Sequence, residues 1–162
     1  MYKLIFDSDA LIKLTKSGIL EEICRHYACI ITSEVKIECV DEGKKGLHKD
    51  SLEIEKFING SLLKIKSTKK TTKIDLRFGK GEMSTVNLYF QEKKSTIVTD
   101  DSAFMKYLEE HNIKFIVPAD LLVLMKIENN IDKKTALRYL KKIKKFIKEE
   151  VYNDVKKDIK ED

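Results

Sequence analysis

The run Leu4-Ile5-Phe6 is apolar, too short for a buried helix, and stops abruptly at Asp7-Ser8-Asp9, where a helical pattern begins. The same succession returns at Thr96-Ile97-Val98-Thr99, which meets Asp100 and Asp101. Short apolar strands alternating with amphipathic helices leave few folds open. Parallel strands need crossover helices, and a sheet built from them is covered on both faces. The pattern predicts strands at 3–6, 28–31, 61–66, 95–99 and 113–117. Helices are predicted at 8–16, 19–26, 50–58, 82–92, 101–111, 119–128 and 132–148, with a last stretch to about Lys160. A further helix is capped by Thr32 or Ser33; its apolar stripe of Val35, Ile37 and Val40 turns Glu38 inward and leaves Glu34, Asp41 and Glu42 to solvent. Gly43 to Gly46 predicts a flexible break.

A chain of 162 residues with 42% hydrophobic content suits one domain with a real core. No apolar run approaches the roughly 18 residues of a spanning helix, and the N-terminal apolar segment is too short for a signal peptide, so a soluble cytoplasmic protein without a membrane partner is expected. The three cysteines, Cys24, Cys29 and Cys39, are an odd number and argue for reduced thiols. A zinc site recruiting them with His26 and His48 would lack paired short-spaced ligands.

Acids at the ends of buried strands and at helix starts are costly unless something positive sits among them. In open parallel sheets, ligands collect beyond the carboxyl ends of the strands where the strand order reverses. If the first and fourth strands are neighbours there, Asp7 and Asp9 meet Asp100 and Asp101, with Glu38 and Glu82 in reach. Such an all-oxygen set suits Mg2+ or Mn2+. Single acids in these places also serve as plain helix caps, a role open to Asp9 and Asp100.

The polar connection 67–81 carries Lys69, Lys70, Lys73, Arg77 and Lys80, which suits guidance of a phosphate backbone, with Tyr89 and Tyr107 as weaker stacking candidates. In the C-terminal helices Ala136, Leu140, Ile143 and Ile147 form one stripe, continued by Val151, Val155 and Ile159. Lys141, Lys142, Lys144, Lys145 and Lys148 crowd the remaining surface. A solvated helical cap is the first reading of that segment, and an RNA- or partner-binding arm the second.

Leu-Ile-Phe-Asp7-Ser-Asp-Ala-Leu-Ile-Lys-Leu, then Ser-Glu-Val-Lys-Ile-Glu38, then Gly-Lys-Gly-Glu82, then Ile-Val-Thr-Asp100-Asp101-Ser-Ala-Phe together resemble a PIN domain, most closely the prokaryotic branch that includes VapC-like toxins. The resemblance runs to about Leu124, which divides the chain into a nuclease domain at 1–124 and a C-terminal helical extension at 125–162 packed on it. It implies a Rossmann-like three-layer α/β sandwich with a central parallel five-stranded sheet. It also implies a magnesium- or manganese-dependent ribonuclease that hydrolyses phosphodiester bonds of single-stranded or structured RNA. By position, Asp7, Glu38, Glu82 and Asp101 match the catalytic acids, with metal on Asp7, Glu82, Asp101 and Asp100. Asp9 stands where the family frequently has a small hydroxyl residue, a function that Ser8 or Thr99 can supply. The toxin branch adds an antitoxin protein and a second copy of the chain as expected partners. Two rivals stand beside this reading. One is a PIN-fold binding module with weak catalysis. The other is a haloacid-dehalogenase-type phosphatase, suggested by Asp7-Ser8-Asp9 and Asp100-Asp101, although Ala10-Leu11 replaces that family's Gly-Thr.

Overall fold

A computed structural model describes residues 2–69, 75 and 77–161. Five parallel strands form one sheet in the order β3-β2-β1-β4-β5. They are β1 (Lys3–Phe6), β2 (Ala28–Thr32), β3 (Leu63–Lys66), β4 (Ser95–Val98) and β5 (Phe115–Ile116). The central pair aligns Leu4 with Thr96, Ile5 with Ile97 and Phe6 with Val98. Connectivity reverses between these two strands, so both carboxyl ends open into the same crevice.

Alternation along each strand divides the core. Leu4, Phe6, Cys29, Ile31 and Val98 face a large cluster built with α1 (Ser8–Lys16), α2 (Leu20–His26), α5 (Lys49–Asn59) and α8 (Asp120–Ile127). The same cluster takes in α9 (Lys133–Ile143) and α10 (Glu149–Lys160). On the opposite face, Ile5, Ile30 and Ile97 meet α6 (Lys80–Gln91) and α7 (Ser102–Glu110). The result is a three-layer α/β sandwich in which the C-terminal helices belong to the main core.

The segment after β2 differs from expectation. A short α3 (Ser33–Lys36), capped by the Thr32 hydroxyl, passes into a π-helical turn at Ile37–Glu42 and then α4 (Gly43–Lys45), so the glycine-rich break is helical up to Lys45. Wider winding re-aims the side chains. Ile37 is 48% exposed, while Cys39 takes the inward place beside Val35 and Val40. Glu34 is not on the solvent side either. Because α3 packs against α6 and β3, Glu34 is half-buried, and its Oε2 has no hydrogen-bond partner among the described residues. Asp41 pairs with Lys36 at 2.7 Å, and Glu42 is exposed. The long C-terminal helix is also interrupted: α9 ends in a 3-10 turn at Lys144–Phe146, Ile147 is extended, and α10 starts afresh.

Phe104 is fully buried under β4, with its ring 5.4 Å from Phe78 and stacked 6.3 Å from Tyr107. Phe104→Ala is expected to cost about 3–5 kcal/mol in urea unfolding. Phe90→Ala, at a 56% exposed position, is expected to cost under about 0.5 kcal/mol.

Candidate active site

Six carboxylates gather at the β1–β4 crevice, and three of them do the work of helix caps. Asp7 Oδ1 accepts from the Ala10 amide at 2.8 Å and opens α1. Asp101 Oδ1 accepts from the Phe104 amide at 2.7 Å and opens α7. Glu82 Oε2 reaches back to the Gly79 amide at 2.8 Å and closes the first turn of α6. The capping role thus falls to Asp7 and Asp101 rather than to Asp9 and Asp100. Three helix N-termini point into one crevice, and their partial positive charges offset part of the repulsion among the acids.

Glu38, presented by the π-helical turn, bridges two of these elements. It accepts a hydrogen bond from the Ser8 hydroxyl, and its Oε1 accepts from the Gly81 amide at 3.1 Å. Gly81 is required for this approach, because a Cβ there would lie 2.5–2.9 Å from the Glu38 carboxylate. Thr99, fully buried, hydrogen-bonds Asp7 and accepts from the Asp101 amide at 3.3 Å. Ser8 therefore ties Asp7's own strand end to Glu38, and Thr99 ties Asp7 to Asp101.

Lys13 is the cation that sequence reasoning missed. Its ammonium grips both oxygens of Asp100 at 2.7 and 2.8 Å. The signal was its position four residues beyond Asp9 on α1, which places both on one helix face. Asp100 is thereby largely engaged, and Asp9 is exposed at the rim.

Asp7 is only 3% exposed. Burial is the main force pushing its pKa up to about 7, with Asp9 and Asp100 adding repulsion and the Thr99 and Ala10 hydrogen bonds opposing. Glu82 is also raised, first by burial and then by Asp101, Glu38 and Asp9, against the Gly79 hydrogen bond. All donors are carboxylate oxygens, which suits a hard divalent cation. Among the described residues, however, no three His, Cys, Asp or Glu side chains converge closely enough to hold an ion outright. Asp7, Glu82 and Asp101 each spend one oxygen on a cap and possess a second, so the donor set fits such a cation.

The basic connection is less available than its composition suggests. Arg77 is chelated by Asp75 at 2.6–3.1 Å, which holds the Asp75 carboxyl down at about 2. Lys69 and Lys80 are exposed, and Lys70 and Lys73 lie outside the described residues. Tyr107 is buried against Phe78 and Phe104, and the half-buried Tyr89 hydroxyl accepts from the Lys114 amide at 3.3 Å, so both serve the core. The cysteines are buried and free; burial pushes Cys39 up to about 12, and the neighbouring Cys24 thiol, with burial, raises Cys29. His26 instead pairs with Glu22 at 3.1 Å.

The parallel sheet with an acid-lined reversal point defines an α/β protein with a carboxylate-lined crevice at its topological switch point. A family model for the PIN domain matches residues 3–161, and the chain belongs to that family. The match continues through the C-terminal helices, well past Leu124. No curated protein matches the chain. PIN domains are in general nucleases that use divalent metal ions. Among the described residues no helix is long and apolar enough to cross a membrane.

Asp7 carries a testable linkage. Between an unfolded pKa near 3.8 and a folded value of about 7, the folded state holds the extra proton. Stability of the metal-free protein therefore falls as pH rises from about 4 to about 7, by a few kcal/mol, and is flat above. Asp7→Asn keeps a capping side chain and removes the charge. Thermal unfolding across that range is expected to show a flattened profile and a higher Tm at pH 8. Gly81→Ala improves helix propensity by about 1 kcal/mol yet forces the Glu38 carboxylate off the α6 N-terminus. The expected result is a stability change under about 1 kcal/mol, with weaker stabilisation by Mn2+ in a thermal-shift titration.

Proposed function

We propose that the protein is a metal-dependent endoribonuclease that hydrolyses phosphodiester bonds of single-stranded or structured RNA, leaving a 5′-phosphate and a 3′-hydroxyl. The observation that carries this reading is the buried Asp7 carboxylate at the strand-order reversal, surrounded by Asp9, Glu38, Glu82, Asp100 and Asp101 on converging helix starts. Asp7, Glu82 and Asp101 would hold Mg2+ or Mn2+, with Asp100 at the edge under the control of Lys13. When bound, the ion lowers the pKa of a water and screens charge on the phosphate. Glu38, fixed by Ser8 and Gly81, orients the attacking water; water oxygen bonds to phosphorus as the bond to the 3′-oxygen breaks. Toxin function, with an antitoxin protein and a second copy of the chain as partners, rests on the VapC-like form of the four motifs.

A second reading, a PIN-fold binding module with weak catalysis, is favoured by the engagement of Asp100 with Lys13 and of Glu38 with Ser8 and Gly81. The phosphatase reading leaves Glu38 and Glu82 without a task. The deciding experiment is cleavage of end-labelled single-stranded RNA with Mg2+, Mn2+ or chelator, beside an Asp7→Asn/Glu82→Gln variant. Metal-dependent cutting that drops by at least about 100-fold in the variant is expected. Metal binding by calorimetry without turnover of RNA would move the assignment to the binding module, and turnover of a phosphomonoester alone to the phosphatase.

A further inference from the structure

The sixteen residues from Lys133 to Lys148 carry eight cationic side chains and no acid. The whole chain is only +5, so the remainder is net negative. From Lys134 onward every cation in this stretch is exposed, and none takes part in a carboxylate ion pair among the described residues. Several are held over aromatic rings instead. Arg138 and Lys142 each lie 5.4 Å from the Tyr139 ring, Lys144 lies 4.9 Å from Tyr152, and Lys145 lies 5.0 Å from Phe146. Tyr139 and Tyr152 are themselves 8% exposed and so make fixed anchors. A ring face positions a cation without neutralising it.

This face is separate from the acids. It belongs to α9 and the 3-10 turn, which pack on α8 and α10, while Tyr139 donates to Glu22 of α2 at 3.1 Å. A concavity of about 600 Å3 along α9 is lined by Lys134, Thr135, Leu137, Arg138 and Lys141, with Asp132 at its end. The apolar side of α9, Ala136, Leu140 and Ile143, is buried in the core, so the helix has no apolar face to insert into a bilayer. An active crevice made of carboxylates repels a polyanion; in the connection before α6, Arg77 is already neutralised by Asp75, which leaves Lys69 and Lys80 as the exposed cations among the described residues there. A protein with such a crevice needs uncompensated cations elsewhere to draw a phosphodiester chain in.

We propose that the cationic face of α9 and its following turn is a second contact surface for the RNA substrate, gripping the backbone of a single strand away from the bond that is cut. The proposal rests on the ribonuclease reading, and its test separates binding from cleavage. Full-length Asp7→Asn protein in chelator is titrated with labelled oligouridines of about 30 and about 6 nucleotides over a range of salt. The Lys141→Gln/Lys142→Gln/Lys144→Gln/Lys145→Gln variant is expected to lose about tenfold or more in affinity for the long strand. Its slope of log K against log salt is expected to fall by about 2 to 3, and its loss on the short strand to be smaller. Lys134→Glu/Lys141→Glu, neither over a ring, is expected to weaken the long strand likewise with Tm unchanged. A charge-matched control, Lys45→Gln/Lys49→Gln/Lys56→Gln/Lys64→Gln, is expected to keep the parent slope. Equal losses in control and test variants, or no loss in either test variant, overturn the surface. Competition by polyglutamate as effective as by RNA overturns it in favour of an acidic protein partner. If the binding pattern holds while native protein with Mn2+ cuts no RNA, the nuclease reading fails and the surface stands; cutting without the pattern is the reverse.

Discussion

The pairing of β1 with β4 is the constraint on which the rest depends. Register sets Phe6 beside Val98, so the chain leaves both strands at the same level, and Asp7 and Thr99 become neighbours at the point of reversal. Every later feature of the site follows from that adjacency. Because the two strands are buried on both faces, a slip by one residue would reverse the inward and outward positions of each. The hydrophobic pattern that fixes the core therefore also fixes where the acids meet.

Bringing six carboxylates together is costly, and the fold meets the cost locally rather than with a matching set of cations. Helix N-termini of α1, α6 and α7 converge on the crevice, the Ser8 and Thr99 hydroxyls link its carboxylates to their neighbours, and Lys13 holds Asp100. Burial first, and the repulsion left over second, raise the pKa values of Asp7 and Glu82. On the proposed reading, a divalent ion held by Asp7, Glu82 and Asp101 would supply the missing positive charge and would compete with the proton that burial favours on Asp7. Occupancy of such a site would then depend on pH through Asp7.

Strand–helix alternation was legible because its two periods differ, and the strand-end acids Asp7 and Asp100 stood out because each follows a short apolar strand, whereas Glu38 and Glu82 lie within helical segments with no such signal. The α1 boundaries at Ser8 and Lys16 were legible from the end of the apolar strand and the Ser17-Gly18 stop, but not that Asp7 rather than Asp9 is the cap, since both are acids at the same turn. The π-helical turn was not legible, since a period of 3.6 assigns Ile37 to the core where the real winding assigns Cys39. Local pairing was hidden for a different reason. Lys13 with Asp100 and Lys66 with Glu92 join elements far apart in sequence, so composition counts their charges as free. Arg77 illustrates the converse, a cation two residues from the acid that neutralises it, read as available only because its loop looked uniformly basic.

The capping role of Asp7, Glu82 and Asp101 would support the metal-holding role proposed for them. A cap fixes one oxygen against a helix start to within hydrogen-bond distance, and this restricts where the second oxygen can point. Asp7, Glu82 and Asp101 are therefore positioned chiefly by secondary structure that must form for the protein to fold at all, with Thr99 as a supporting side chain. Glu38 is the exception. It depends on Ser8, on a glycine that leaves room at α6, and on a turn wound more widely than an α-helix. Of the four acids, Glu38 is the one whose placement the fold does not need for its own stability. Changes at Gly81 or in the π-helical turn should then separate activity from folding more cleanly than changes at the caps.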